Sequence, residues 1–399
     1  MSAAVVQPAD RSAPWREATA GIPGPLAVVD LEGFEANARD LLARAQGTPV
    51  RVASKSLRVR SLIDKALVSP GFAGVMAFSL AEALWLVEHG VRDVLLGYPS
   101  VDRRALSSLV SDPRAREQIT LMVDDVAQVA LVERALTRAG SPDGPAVQVC
   151  LDVDAGLRLG PVHVGPRRSP VRDVADAVAL ARAVERTGRL RVRGVMFYEG
   201  QVAGVNEAGV RGPVVRAMKR ASLAQLAQRR PAVVGALQAE LGRTLLVNGG
   251  GSGSVADTVA DPTITEVTAG SGLYCPTLFD HYRAFAPRPA AYFGLDVVRH
   301  PATNIATVFG GGYPASGPAG ADRLPAPLGG GAYLSTEGAG EVQTPLRYRS
   351  EVPAIGDRVW FRHAKAGEMM ERFDVVHLVR GGRIEESMPT YRGESRTFG

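Results

Sequence analysis

The sequence predicts an α/β protein, a (β/α)8 TIM barrel followed by a smaller antiparallel β domain. Between about residues 50 and 269, eight short apolar runs alternate with helical patterns, which is typical of a parallel sheet closed on itself. After about residue 287 the chain changes to short strand patterns between Gly- and Pro-rich turns, which favours antiparallel β structure. With 399 residues, the chain is long enough for a large barrel and a second unit.

The eight apolar runs are the predicted barrel strands. They cover residues 50–53, 74–79, 93–98, 119–123, 147–153, 192–197, 243–247 and 265–269. Helical periodicity marks the segments between them, most clearly at 79–89, 171–187 and 214–239. An open doubly wound sheet is the alternative, but such a sheet usually has fewer strands and lacks even spacing through to an eighth. We therefore place the barrel domain over residues 21–287.

A second domain is predicted over residues 288–399. Its strand patterns lie at 297–298, 307–308, 333–334, 359–361 and 375–378. Residues 1–20 are polar and rich in Ala, so we expect a flexible N-terminal segment there.

Charge and composition exclude several classes of partner. The net charge is +5, but the arginines are interspersed with acidic residues and no basic tract carries interleaved aromatic residues, which argues against nucleic acid. Cys150 and Cys275 are too few for a disulfide scaffold and lack CxxC spacing. No segment approaches the ~20 apolar residues of a membrane span, and the first residues lack the pattern of a secretion signal. We expect a cytoplasmic protein with no membrane partner.

Lysine is rare in this chain. Only four of the 46 basic residues are lysines (Lys55, Lys65, Lys219 and Lys365), and 46 minus 4 leaves 42 arginines. A lysine amine can lose its proton and form a Schiff base with a carbonyl, whereas an arginine guanidinium stays protonated. Lys55 directly follows the first barrel strand, at the end where barrel enzymes place their active sites. A solvated surface lysine is the alternative, because composition bias alone can make lysine rare.

A glycine-rich run follows the seventh barrel strand. Over residues 248–254 (NGGGSGS), glycines without a Cβ atom let successive backbone amides surround an anion, and Ser252 and Ser254 add hydroxyl donors. Residues 269–274, after the eighth strand, offer further donors, and phosphate sites recur at this place in barrels. A flexible loop is the alternative. A phosphate site opposite a reactive amine suits pyridoxal phosphate, a phosphorylated aldehyde.

Several motifs, in this order along the chain, resemble the fold-type III pyridoxal-phosphate enzymes, whose barrel is of the alanine racemase type. The similarity is greatest to the branch of D-threonine aldolase and D-serine dehydratase, the amino acid deaminase/aldolase group. The motifs are residues 21–30 (GIPGPLAVVD) with Asn37, Lys55, 154–160 (DAGLRLG), 198–200 (YEG), 249–253 (GGGSG) and 265–271 (TEVTAGS). Their joint order over residues 21–380 makes the resemblance fairly specific.

The resemblance assigns a cofactor site residue by residue. Lys55 corresponds to the lysine that holds pyridoxal phosphate, Arg158 to an arginine beside the ring, and Tyr198 to a tyrosine against the cofactor. The phosphate-binding and neighbouring positions correspond to Asn248, Gly250, Gly251, Ser252, Gly253, Ser271 and Gly272. Taken singly, Arg158 could instead be a surface charge and Tyr198 a core aromatic.

One position departs from the resembled branch. Its members carry a C-terminal His-x-Cys or His-x-Asp pair for a divalent metal, whereas here His363 is followed two positions later by Lys365. A protonated ammonium is not a metal ligand, so we expect no divalent metal, with His363 as the ligand if one binds. We hypothesise that Lys365 replaces the charge of the metal and binds a substrate hydroxyl or carboxylate. Glu368 could join His363 as a ligand, although their spacing is poor; a structural histidine is the alternative.

These features together predict a lyase that acts on β-hydroxy D-amino acids by retro-aldol cleavage or dehydration, through a Lys55 Schiff base. The predicted catalytic residues are Lys55, His363 and Lys365, of which Lys55 or His363 transfers protons. An amino-acid racemase or epimerase is the alternative, but it needs a second base that the sequence does not reveal. A non-catalytic cofactor carrier and a cofactor-free barrel aldolase acting through Lys55 are further alternatives. By the resemblance we expect a homodimer, and we expect the segment before residue 30 to reach the β domain.

Overall fold

The computed structural model describes residues 13–140, 143–205, 207, 212–282, 285–286, 288–365 and 367–399. Its strands are β1 (Leu26–Asp30), β2 (Val50–Ala53), β3 (Phe72–Ala77), β4 (Val94–Leu96), β5 (Ile119–Val123), β6 (Val147–Asp152), β7 (Leu157–Leu159), β8 (Val162–Val164), β9 (Leu190–Phe197), β10 (Leu246–Gly249), β11 (Glu266–Ala269), β12 (Ala291–Ala302), β13 (Ile305–Phe309), β14 (Ala326–Pro327), β15 (Ala332–Tyr333), β16 (Gln343–Arg347), β17 (Arg358–Arg362), β18 (Val375–Arg380) and β19 (Arg383–Pro389).

Its helices are α1 (Ala13–Ala18), α2 (Leu31–Ala45), α3 (Arg60–Leu67), α4 (Leu80–Glu88), α5 (Arg103–Ser111), α6 (Pro113–Gln118), α7 (Val126–Arg138), α8 (Val174–Glu185), α9 (Gly200–Ala203), α10 (Gly212–Leu241), α11 (Val255–Val259) and α12 (Ser271–Tyr274). Short 3-10 segments lie at Ser54–Ser56, Thr277–His281, Ala321–Arg323 and Glu368–Arg372.

Eight parallel strands close into a barrel in the order β2, β3, β4, β5, β6, β9, β10 and β11, and β11 pairs with β2. Each predicted run overlaps one of these strands, so the barrel is confirmed and the open sheet is excluded. The strands are apolar and largely buried, as expected where helices cover the outside of a parallel sheet. The predicted and the observed strand bounds differ most at β10. Its pairing with β9 begins at Leu246 and not at Arg243, since the Arg243 side chain forms an ion pair with Glu185.

A two-stranded hairpin interrupts the alternation between β6 and β9. Strands β7 and β8 pair antiparallel outside the barrel, and Leu159 and Val162 on them are exposed. The buried Asp154 fixes the base of this hairpin, since its carboxylate accepts a hydrogen bond from the Gly156 amide and pairs with Arg172. The hairpin decides which residues of the following loop face the barrel.

The second sheet is mainly antiparallel and runs in the order β15, β16, β13, β12, β1, β18, β19, with β17 paired to β12 and β14. Strand β1 lies at its centre, antiparallel to β12 and parallel to β18. The chain therefore begins in this sheet, crosses into the barrel through α2, and returns after β11. This arrangement confirms the fold class of a barrel followed by a β domain.

The described part of the N-terminal segment, residues 13–20, lies on the β domain. There α1 packs Trp15 on the sheet. The flexibility expected over residues 1–20 stays a prediction, and residues 1–12 lie outside the described part. The Trp15 ring centre is 4.0 Å from that of Tyr292 and 5.8 Å from that of Trp360. Burial of a large aromatic side chain is a strong local stabiliser, and the Ala-rich composition did not reveal it.

The C-terminal tail returns to the barrel beside Lys55. The Tyr391 amide donates a hydrogen bond to the carbonyl of Arg58, and the Tyr391 hydroxyl donates to the buried carboxylate of Glu82 at 2.8 Å. Arg60 and Glu394 add an ion pair between the same segments. The C-terminal segment thus restrains the loop that follows Lys55.

Candidate active site

A cavity opens at the carboxyl ends of the barrel strands. Its polar lining includes Lys55, Tyr98, Arg168, Tyr198, Asn248, Gly250, Gly251, Ser252, Ser271 and Lys365. These residues follow five different barrel strands, or reach in from the hairpin loop and the β domain. This is the end at which (β/α)8 enzymes assemble their catalytic groups.

Lys55 lies in a 3-10 turn directly after β2. The turn is fixed by the Ser54 hydroxyl, which donates to the carbonyl of Met76 at 3.0 Å. The Lys55 Nζ points into the cavity and donates a hydrogen bond to the Tyr98 Oη at 2.6 Å. Within the described part of the chain, this contact holds the amine in the cavity.

Arg168 lies between two tyrosines of the cavity wall. Its guanidinium carbon is 4.6 Å from the ring centre of Tyr198 and 5.2 Å from that of Tyr98. Burial alone would raise the pKa of Tyr98, but the charges of Lys55 and Arg168 outweigh burial and lower it. At Tyr198 burial dominates and raises the pKa. The two phenols therefore differ in acidity although they share a cavity.

Arg158 does not line the cavity. The hairpin turns it outward, where its side chain is 51% exposed and lies 3.7 Å from the carboxylate of Asp154. The arginine that faces the predicted cofactor region is Arg168, in the loop after the hairpin. No spacing or motif distinguished Arg168 in the sequence, since its position depends on how the hairpin folds. Tyr98 was also missed, although a phenol at the end of a barrel strand was an available signal.

The glycine run forms a loop between β10 and α11. Gly250 adopts a φ of 80°, which favours glycine, and its amide donates to the Glu199 carboxylate at 3.1 Å. The Ser252 hydroxyl accepts hydrogen bonds from the amides of Gly270 and Gly272, so this serine ties the loop to the start of α12. Within the described part of the chain, the amides of Ser252 and Gly253 donate to no acceptor.

Two buried networks of hydrogen bonds and ion pairs support this loop. Glu199 also accepts a hydrogen bond from Thr258 and lies 3.7 Å from Arg230, which in turn pairs with Asp261 at 2.7 Å. The Asn248 amide nitrogen donates to Glu266 and Thr268, and Glu266 is paired with the fully buried Arg51. The glutamate of the YEG motif thus supports the glycine loop and does not itself line the cavity.

Gly253 and Gly272 lie behind the cavity wall. Among the residues predicted for the cofactor, the structure brings Lys55, Tyr198, Asn248, Gly250, Gly251, Ser252 and Ser271 to one cavity. A Cβ atom on Gly272 would lie 3.1 Å from the Ser252 side chain, so close packing accounts for this glycine.

His363 lies in a neighbouring polar cavity, next to β17. It is 4% exposed, and burial lowers its pKa to about 3, so the ring is neutral at ordinary pH. Neither ring nitrogen makes a hydrogen bond of normal geometry with a described residue. Tyr274 packs edge-on against the imidazole, with 6.1 Å between the ring centres.

Lys365 reaches both cavities. Its Nζ donates to the carbonyl of Ser316 at 3.3 Å, and burial followed by the charge of Arg323 lowers its pKa. The Glu368 carboxylate accepts from the Ser316 amide at 2.9 Å and so is engaged with the same loop. In the described ranges, no three His, Cys, Asp or Glu side chains come together as a set that could hold a metal ion.

The residues of the barrel cavity fit pyridoxal phosphate. Lys55 presents an amine for the aldehyde, and the part of the glycine loop that lines the cavity presents the Ser252 amide, which has no acceptor among the described residues, as an anion site requires. Tyr198 offers an aromatic face beside them.

None of the described helices is both long and apolar enough to cross a membrane.

Comparison with known proteins agrees with this architecture. Residues 29–277 match the family described as "Alanine racemase, N-terminal domain". A 3-hydroxy-D-aspartate aldolase from Paracoccus denitrificans (strain Pd 1222) is 27% identical over 235 residues, which are 58% of this chain and 54% of that protein. The chain thus spans about half the length of the curated relatives that it matches.

Two solved structures share the fold over nearly the whole chain. A D-threonine aldolase from Filomicrobium marinum superposes with a TM-score of 0.77 at 21% identity, covering 94% of this chain and 96% of that one. A D-threo-3-hydroxyaspartate dehydratase from Delftia sp. HT23 gives 0.70 at 20% identity, with 92% and 97% covered. The family match extends from β1 to the segment after α12 and includes the glycine loop and Lys55. The chain therefore belongs to the alanine racemase N-terminal domain family, whose barrel uses pyridoxal phosphate.

Proposed function

We propose that this protein is a pyridoxal-phosphate-dependent lyase that acts on β-hydroxy D-amino acids by retro-aldol cleavage or dehydration. The observation that carries the proposal is the placement of the Lys55 amine and the glycine loop in one cavity of this family's barrel. The names of the relatives, an aldolase and a dehydratase of hydroxy amino acids, support the lyase over the racemase.

The cavity residues define how the cofactor would be held. The Ser252 amide and the part of the glycine loop that lines the cavity would bind the phosphate, and Tyr198 would lie against the ring. Lys55 would hold the aldehyde carbon until a substrate amine takes its place. When bound, pyridoxal phosphate supplies an electron-accepting ring for a bond broken at Cα of the substrate.

We assign the substrate-binding charge to Lys365. It lines the barrel cavity, and its ammonium can bind a hydroxyl or carboxylate of the substrate. His363 is separated from that cavity and its pKa is lowered to about 3, so it is a poor proton acceptor at neutral pH. We therefore propose that His363 forms part of the wall beside Lys365. The proton transfers that the sequence assigned to Lys55 or His363 are then carried out by Lys55.

We also propose that the reaction does not need a divalent metal, because Lys365 stands where the resembled branch has a metal ligand. Metal analysis of active protein, with and without prior chelation, tests this point. Activity that survives chelation supports it. Zinc or manganese at one ion per chain, with activity lost on chelation and restored by that ion, contradicts it.

A substrate panel tests the proposed activity. Purified protein loaded with pyridoxal phosphate is incubated with D- and L-forms of β-hydroxy amino acids, including those with an acidic side chain, and aldehyde, keto acid and enantiomer are measured separately. We expect aldehyde or keto acid from D-substrates, lost in Lys55→Ala and retained in the control Lys65→Ala. Enantiomer exchange without cleavage would identify a racemase instead.

The proposal also includes the oligomeric state and the location in the cell. A homodimer, implied by the family resemblance, is tested by light scattering on the full chain. A cytoplasmic location, predicted from the sequence, is tested by fractionation of the producing cells.

A further inference from the structure

Among the residues that the structure describes, the Lys55 amine has one hydrogen-bond partner, the phenol of Tyr98. The two atoms are 2.6 Å apart, which is short for a contact between a nitrogen and an oxygen and is typical of a charge-assisted hydrogen bond. Tyr98 follows β4, two strands away from Lys55 around the barrel, so both residues come from rigid strand ends.

The cavity offers few other proton acceptors. Among the described residues that line it, there is no Asp, Glu or His, and its titratable groups other than arginine are two lysines and two tyrosines. Tyr198 makes no hydrogen bond to Lys55, and burial raises its pKa. Tyr98 is therefore the group that geometry places to exchange a proton with the reactive amine.

The surroundings of Tyr98 favour its phenolate. The charged and titratable groups that face it are Lys55, Arg168, Lys365 and Tyr198, of which three are cations. Arg168 lies over the Tyr98 ring, and together with Lys55 it lowers the phenol's pKa in spite of burial. Burial raises the pKa of the other tyrosines whose shift is resolved, which include Tyr274, Tyr282, Tyr333 and Tyr391.

We propose that Tyr98 is a catalytic acid–base residue that exchanges a proton directly with the Lys55 Nζ. The inference rests on the proposed function, since it concerns the amine that would carry the cofactor. In the forward direction the N–H bond of the Lys55 ammonium breaks and an O–H bond forms on the Tyr98 phenolate, which leaves a neutral amine and a neutral phenol. The reverse transfer protonates Lys55 when a substrate amine replaces it. No proton from water and no further reactant is needed.

A first test measures the pair without cofactor. Ultraviolet difference titration follows tyrosinate in the full chain, stripped of cofactor, for the wild type, Tyr98→Phe and the remote control Tyr333→Phe, whose phenol donates to the Pro325 carbonyl. We expect Tyr98→Phe to lose the first tyrosinate to form as pH rises, and Lys55→Ala to shift that tyrosinate to higher pH. Identical titrations of wild type and Tyr98→Phe at the low-pH end would overturn the inference.

A second test follows proton delivery to Lys55 in the holoenzyme. Hydroxylamine is mixed with protein loaded with pyridoxal phosphate, and the loss of the Lys55-dependent visible absorbance is timed. We expect Tyr98→Phe to keep the amplitude of that absorbance but to react about 100-fold more slowly, as expected when a general acid is removed. Added imidazole buffer should accelerate the variant and leave the wild type unchanged, because small acids then replace the phenol.

The outcomes separate this inference from the proposed function. A wild type without any absorbance that depends on Lys55 contradicts the proposed function, and the inference with it. A normal wild-type band, together with a Tyr98→Phe rate within threefold of the wild type and no response to imidazole, overturns the acid–base role alone. A merely structural role of Tyr98 would reduce the amplitude of the band without creating the response to buffer.

Discussion

The Glu199 carboxylate accepts a hydrogen bond from the Gly250 amide at 3.1 Å and so connects the end of β9 to the glycine loop. The same carboxylate is buried, accepts from Thr258, and faces the Arg230 guanidinium. A buried carboxylate with these partners fixes a loop more firmly than the glycines could by themselves, since glycine favours no single conformation. The glycine loop is therefore held in one conformation by a buried charge network.

Replacing Glu199 by Gln should loosen this loop. The amide lacks the charge that Arg230 faces and leaves one buried partner unsatisfied, so the free energy of unfolding should fall by about 1–3 kcal/mol. Pyridoxal phosphate should bind about tenfold more weakly, equivalent to about 1.4 kcal/mol. Chemical denaturation and absorbance titration measure the two effects. The exposed Glu240→Gln, which removes the partner of Arg182, serves as the control and should change neither.

Gly270 separates the Lys55 turn from α12, and Gly270→Ala should distort both. A Cβ atom there would lie 2.6 Å from the Ala53 carbonyl oxygen and 2.9 Å from the Ser56 Cβ. Such overpacking costs about 1–3 kcal/mol of stability and should slow the capture of cofactor by Lys55. Thermal unfolding and the rate of absorbance growth report on it. Gly235→Ala in α10, where no atom lies within 4 Å, should instead stabilise by about 0.5–1 kcal/mol.

The two arginines near the hairpin should differ sharply when each is replaced by Ala. Arg168→Ala removes the guanidinium that lies over Tyr98 and Tyr198, so kcat/KM should fall at least about tenfold and the Tyr98 tyrosinate should form at higher pH. Arg158→Ala should stay within about threefold of the wild type, because the Arg158 side chain is half exposed and Asp154 keeps Arg172 as a closer partner. Equal losses in both variants would contradict the position of Arg168 in the cavity.

His363 should make the protein sensitive to acid. The folded state keeps the imidazole neutral down to a pKa of about 3, whereas the unfolded chain protonates near 6.5. Between these values the unfolded state binds more protons, so stability falls as pH decreases from about 6.5 towards 3 and is unaffected by this group above that range. His363→Gln should flatten this part of the profile of unfolding free energy against pH. The exposed His300→Gln, as a control, should leave the profile unchanged.

The barrel strands and the N-terminal helix differ in how far the local sequence encodes them. Each barrel strand was predictable, because a run of buried branched residues between helical patterns is a local signal. The order of the strands follows from this signal, and so does the position of Lys55 and Ser252 after the first and the seventh barrel strand. The helix around Trp15 was not predictable, because its stability comes from Tyr292 and Trp360, which lie far away in the sequence.

The sequence by itself determined the barrel, the β domain, and the meeting of Lys55 with the glycine loop, since the carboxyl ends of parallel strands must share one face. Only the tertiary structure decided which side chains complete the cavity. The hairpin after β6 turns Arg158 to solvent and brings Arg168 over the tyrosines, and closure of the barrel brings Tyr98 to the Lys55 amine. These positions depend on contacts between distant segments. The place of Tyr98 at a strand end was a local signal, but no local pattern distinguishes Arg168 from Arg158.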